Sequence, residues 1–94
     1  MMELKDTVEL MTSDDYEERF RAEYWQTYIR DAKLCKLLVD WDEGKLDFEP
    51  SCPRELLDRQ CKAVGNYLIA LEKRAVIEHI DLYRDVQRCA EKGD

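Results

Sequence analysis

From Pro53 to Ile80 the apolar positions Leu57, Cys61, Val64, Leu68, Leu71 and Ala75 follow one another in alternating steps of four and three, and Leu82 resumes the series after a miss at Glu78. That spacing marks one face of a long α-helix. Pro53 suits its start, because the missing N–H of a proline has no partner in the first turn, and Ser51 or Cys52 just before it is placed to cap the free amides. Upstream, residues 14–43 carry a wider apolar pattern. Phe20, Tyr24, Thr27, Leu34, Leu38 and Trp41 form one stripe, and Trp25, Tyr28, Ala32, Cys35 and Val39 form a second beside it, with Glu23, Gln26, Arg30, Lys33 and Asp40 opposite. Thr12-Ser13-Asp14-Asp15 supplies a cap and early acids, and Gly44 a left-handed exit, so this is a second long helix of about 45 Å at ~1.5 Å per residue. Two adjacent stripes are wider than one partner helix covers, which predicts a second subunit or a ligand on the excess.

The link from Gly44 to Cys52 is short, and Leu46 and Phe48 within it are expected to fold back over the turn. Such a link returns the chain antiparallel, as a helical hairpin. With the turn near residue 48, residues whose numbers sum to about 96 stand level, which sets Phe20 and Arg21 beside Ala75 and Val76, and Tyr28 beside Leu68. Glu3–Met11 forms a short amphipathic helix with Leu4, Val8 and Met11 on one side, too short to hold alone. Residues 81–91 have Leu82, Val86 and Cys89 at helical spacing and either continue the second long helix or form a separate last turn before Gly93. The fold class is all-α: an antiparallel hairpin of two long helices with short terminal helices, one domain over residues 1–94.

Composition agrees with this reading: 45% hydrophobic and 39% charged residues with three Gly and two Pro suit a helical protein and exclude a disordered one. A chain of 94 residues has a thin core, and partner subunits would thicken it. The net charge of −7 lies wholly in the first half, with fourteen acids against seven bases through Pro53 and eight against eight from Arg54 onward. This balance disfavours general binding to DNA, RNA or an anionic membrane, since phosphate contacts need a basic face. Asp40, Asp42, Glu43, Asp47 and Glu49 gather the excess around the loop, either as a solvated turn or as an acidic knob that docks on a basic groove of a protein partner.

Catalytic signatures are missing. There is no Gly-rich phosphate loop, no H-E-x-x-H, no nucleophile elbow, and His79 is the only histidine, so we expect neither an enzyme nor a bound cofactor. The four cysteines include no C-x-x-C pair, Cys35 and Cys61 fall on apolar faces as small hydrophobes, and no zinc site is expected. No apolar N-terminal secretion signal precedes them, which points to a reducing compartment. One constellation suggests binding: Arg21, Trp25 and Tyr28 on one helical stripe, near the height of Lys73 and Arg74. Aromatic rings stack on bases and guanidinium groups clasp phosphate, so these five residues are candidates to hold a small nucleotide between subunits; aromatic residues at this spacing also serve as plain packing.

The runs Glu18–Tyr24 (ERFRAEY), Lys33–Leu38 (KLCKLL), Leu56–Leu68 (LLDRQCKAVGNYL) and Leu71–Arg74 (LEKR) resemble a group of small helical-hairpin proteins from phages and prophages of gut bacteria. In that group an E-R-x-x-x-E-Y helix precedes an L-L-x-x-Q-x-x-A-M-x-x-Y-L helix and a terminal L-E-x-R. The resemblance spans about Asp15 to Ile80, with Val64 in place of the methionine. The topology is similar to the hairpin domain of phage proteins that sequester cyclic nucleotide signals of bacterial immunity as oligomers, without cleaving them. The resemblance implies an antidefence sponge in the cytoplasm of a bacterial host, a homo-oligomer with a cyclic nucleotide ligand. The alternatives are an acidic inhibitor of a host defence complex, in the manner of anti-CRISPR proteins, and a structural phage accessory.

Overall fold

Asp15 opens the first long helix: its carboxylate accepts the Glu17 amide at 3.1 Å, and Glu17 and Glu18 place negative charge at the positive end of the helix dipole. The computed structural model describes residues 2–86. In it a 3-10 turn, Leu4–Thr7, runs into a single helical turn, α1 (Val8–Met11), followed by α2 (Tyr16–Asp42) and α3 (Arg54–Glu78). The 27 residues of α2 account for the 41 Å long dimension of the molecule.

Both long helices end in the same way. After α2, Gly44 takes φ 69°, its amide donates to the Trp41 carbonyl at 3.1 Å, and the Lys45 amide donates to that of Asp40 at 2.8 Å. After α3, His79 occupies the left-handed position at φ 57°, its amide donates to Val76, and the Ile80 amide donates to Ala75 at 2.9 Å. These are two Schellman closures, one with the usual glycine and one with a histidine. The second closure answers where α3 stops: it does not run on past Glu78, and residues 84–86 form a separate helical turn. Cys89 and Gly93 lie outside the described residues. At the other end of α3 the expected cap is absent. Pro53 is itself the N-cap, extended at ψ 143° with no side-chain cap bond, which leaves Ser51 and Cys52 outside the helix.

The helices pair antiparallel in the expected register. Tyr24 donates to Glu72 at 3.0 Å, Cys35 lies 3.3 Å from Cys61, and Arg54 reaches Asp42 at 2.7 Å, each a pair whose numbers sum to 96. Leu68, Leu71 and Ala75 are buried in the seam, whereas Leu57, Cys61 and Val64 nearer the loop are only half-buried. The seam is therefore tighter at the end covered by residues 2–11 and 79–86, and in the loop half Leu38 alone among the described residues is buried. Of the loop residues expected to fold back, Leu46 is half-buried but Phe48 stays exposed.

What tightens the far end is the chain itself. The N-terminal segment buries Met2, Thr7 and Leu10 rather than the expected Leu4, Val8 and Met11 face, because Thr7 and Leu10 are the positions turned toward α2. Gln26 of α2 donates to the Thr7 hydroxyl at 3.0 Å and so ties the segment down. From the other terminus, Ile80 and Leu82 join Met2, Phe20, Tyr24, Trp25, Leu68, Leu71 and Ala75 in one core cluster. Each large apolar side chain fully buried there contributes about 1.5–3 kcal/mol. The surplus width of α2 is thus partly met by the chain's own ends. Unpartnered apolar surface remains on the second stripe of α2, where Tyr28 and Val39 are exposed, and on α3, where Ile69, Val76 and Ile77 are exposed.

Candidate ligand-binding site

The second stripe of α2 brings its aromatic residues together as the helical spacing requires. Trp25 and Tyr28 meet edge to face with centroids 5.2 Å apart, and Tyr24 packs against both. The Trp25 indole N–H donates to the Leu82 carbonyl at 2.7 Å, so the returning C-terminal segment fixes the ring. Tyr28 remains exposed. Along α2 from this pair lies an open apolar pocket of about 270 Å³, lined by Met2, Trp25, Tyr28, Ile29, Ala32, Lys33 and Lys36. Apolar walls with Lys33 and Lys36 among the lining, Lys36 also paired with Asp40, suit a flat ring system that carries an anionic group.

The five residues expected to bind ligand are not brought to one place. Trp25 and Tyr28 line the pocket; Arg21, Lys73 and Arg74 do not. Arg21 is buried, and its Nε donates to Asp85 at 2.6 Å, so its guanidinium serves an internal ion pair with the C-terminal segment. Arg74 lies over the Phe20 ring, 4.9 Å from its centroid, and donates to the Tyr16 hydroxyl and to Glu78. The Glu78 carboxylate raises the Arg74 pKa. Tyr16 in turn donates to Glu78 at 2.7 Å, and that carboxylate raises the phenol's pKa. Lys73 is exposed on α3. The cations that the pocket does hold, Lys33 and Lys36, sit five and eight residues beyond Tyr28. Lys36, one turn after Ala32, borders the Trp25–Tyr28–Ala32 stripe, whereas Lys33 belongs to the face that reads as polar.

The acidic loop is largely neutralised within the chain. Lys36 donates to Asp40 at 2.8 Å, Arg54 to Asp42 at 2.7 Å, and Lys45 lies 2.7 Å from Glu43. The Arg54 guanidinium beside Asp42 holds that carboxyl below its usual range, and Asp40 raises the Lys36 pKa. Asp47 and Glu49 are exposed on the loop, Asp47 at the edge of a second, more open depression that also includes Lys33, Lys36 and Phe48. No described helix is long and apolar enough to cross a membrane.

On the seam, the Cys35 and Cys61 thiols touch, and Asp31, one turn before Cys35, lies 3.8 Å from each sulfur. The hydrogen bond with Cys61, burial and the Asp31 charge push the Cys35 thiol up to about 11.

No curated protein matches the chain, and no solved structure does. A protein-family model does match, over residues 14–77, which takes in α2, the loop and all but the last residue of α3. Its description is Sequestin, a name that denotes holding a ligand rather than transforming one. With more than half of its length matched, the chain belongs to the Sequestin family.

Proposed function

We propose that this chain is a non-enzymatic phage antidefence protein that sequesters a nucleotide-derived immune signal in pockets of a helical homo-oligomer. The observation that carries the reading is the pocket beside Trp25 and Tyr28, whose apolar walls and lysine rim pair a stacking surface with charge for a phosphate. The family name supports retention of a ligand as the activity. Exposed Ile69, Val76 and Ile77 on α3, with Tyr28 and Val39 on α2, leave apolar surface that a second copy would cover. The pairing of Asp40, Asp42 and Glu43 with bases of this chain leaves less free charge for a basic protein partner, which places the acidic-inhibitor reading second.

Native mass spectrometry of the protein with a panel of cyclic di- and trinucleotides and cyclic ADP-ribose isomers tests the proposal. We expect a defined oligomer that gains the mass of one panel member stoichiometrically. A monomer, or a species that takes up none of the panel, overturns it and turns attention to a protein captured through Asp47 and Glu49.

A further inference from the structure

The seam holds a donor set that the pocket does not use. Cys35 Sγ and Cys61 Sγ are 3.3 Å apart, and Asp31 Oδ1 is 3.8 Å from each. Tetrahedral zinc, with Zn–S near 2.3 Å and Zn–O near 2.0–2.2 Å, requires edges of about 3.8 Å between two sulfurs and about 3.5 Å between sulfur and oxygen. The observed triangle departs from those edges by a few tenths of an ångström to half an ångström, within the reach of small side-chain rotations. Helical geometry makes the arrangement: Asp31 and Cys35 stand one turn apart on the same face of α2, and the hairpin register sets Cys61 opposite them. All three are half-buried, partly screened from water and still reachable. Among the described residues, the Asp31 carboxylate has no hydrogen-bond partner besides the two thiols, both weak donors at long distance. An anion set against two thiols is poorly satisfied, and a cation between them satisfies all three.

We infer that Asp31, Cys35 and Cys61 bind a thiophilic divalent metal ion of the zinc type, with the fourth position open to water or an exogenous ligand. Two thiolates and one carboxylate in tetrahedral disposition select zinc over the harder magnesium and calcium ions, which take oxygen ligands. On binding, each thiol loses its proton to solvent as the metal–sulfur bond forms. The ion would bridge α2 and α3 in the loop half of the hairpin, where Leu57 and Val64 are only half-buried and a cross-link adds most.

Titration of the reduced full chain with Co²⁺, followed by displacement with Zn²⁺, tests the site. We expect intense visible bands of tetrahedral cobalt and a sulfur-to-metal charge-transfer band, saturating at one ion per chain. C35S and C61S should each abolish the bands. D31N, which leaves the seam's packing intact, should weaken binding about tenfold or more, since even outer-shell partners of a metal are worth 10–100-fold. C52S should leave the titration unchanged, and circular dichroism checks that every variant is helical. Weak octahedral cobalt bands, or bands that survive C35S or C61S, overturn the inference. So does a reduced chain that takes up no metal while its air-exposed form loses two hydrogens through a Cys35–Cys61 disulfide, because the pair is then a redox couple.

Discussion

Arg21 Nε donates to Asp85 Oδ2 at 2.6 Å across 64 residues of chain, with both side chains more than nine-tenths buried. Removing one partner of such a pair strands the other charge and costs about 3 kcal/mol or more, whereas replacing both with apolar groups is close to neutral. Urea unfolding of R21M and of D85N should show that loss singly, and R21M/D85L should regain most of it. Nucleotide affinity per folded molecule should be unchanged in R21M, since Arg21 lies inside the fold rather than in the pocket.

The pocket itself is best probed at its exposed members, because Trp25 is tied into the core. Y28A should lose about 1–3 kcal/mol of ligand binding, the usual value of one aromatic–base stack. K33E and K36E should each weaken binding at least about tenfold and flatten its loss with salt, since salt then screens a repulsion of the phosphate instead of an attraction. Isothermal titration calorimetry with the ligand found by mass spectrometry measures all three, with helicity as the control.

A left-handed histidine closes α3 where glycine closes α2. A side chain in that conformation costs about 1 kcal/mol or more, and glycine avoids the cost. H79G should therefore raise stability by about 1 kcal/mol in chemical denaturation and leave the helix boundary at Glu78.

Alkaline pH should loosen the hairpin. The folded state holds the Cys35 proton more tightly than the unfolded chain does, its pKa rising from 9.0 to about 11. Its contribution is complete below about pH 9 and disappears as pH climbs through about 11. Burial and the Glu72 carboxylate push the Tyr24 phenol above its ordinary 10.0, which adds a second loss of the same sign at higher pH. Thermal melting temperatures should fall across this range in the metal-free protein, and C35A should flatten the earlier part of the decline.

Much of this architecture was legible in the residues. Leu57, Cys61, Val64, Leu68, Leu71 and Ala75 do face the seam, and the register follows from a short link between two long amphipathic helices. The path of residues 79–86 was not, because it depends on a left-handed histidine, a conformation that residue type does not announce. That one bend brings Leu82 onto Trp25 and Asp85 onto Arg21, and so separates Arg21 from the surface that Trp25 and Tyr28 share. Trp25 and Tyr28 were legible as an aromatic stripe, but Lys33 was assigned to the polar side because side-chain reach is invisible in a helical pattern. The numbers 35 and 61 already sum to 96; what the pattern hid was that Asp31 aims at the same point.

The gradient of burial along the seam gives the hairpin the mechanics of tweezers. Leu68, Leu71, Ala75 and residues 2–11 and 79–86 clamp one end, while the arms toward residue 48 meet, Leu38 apart, through half-buried side chains. Local opening begins where buried apolar contacts are fewest. Amide protons of the arms should thus exchange with solvent well before those of Phe20–Trp25 and Leu68–Ala75, and the tips can spread and close without melting the clamp.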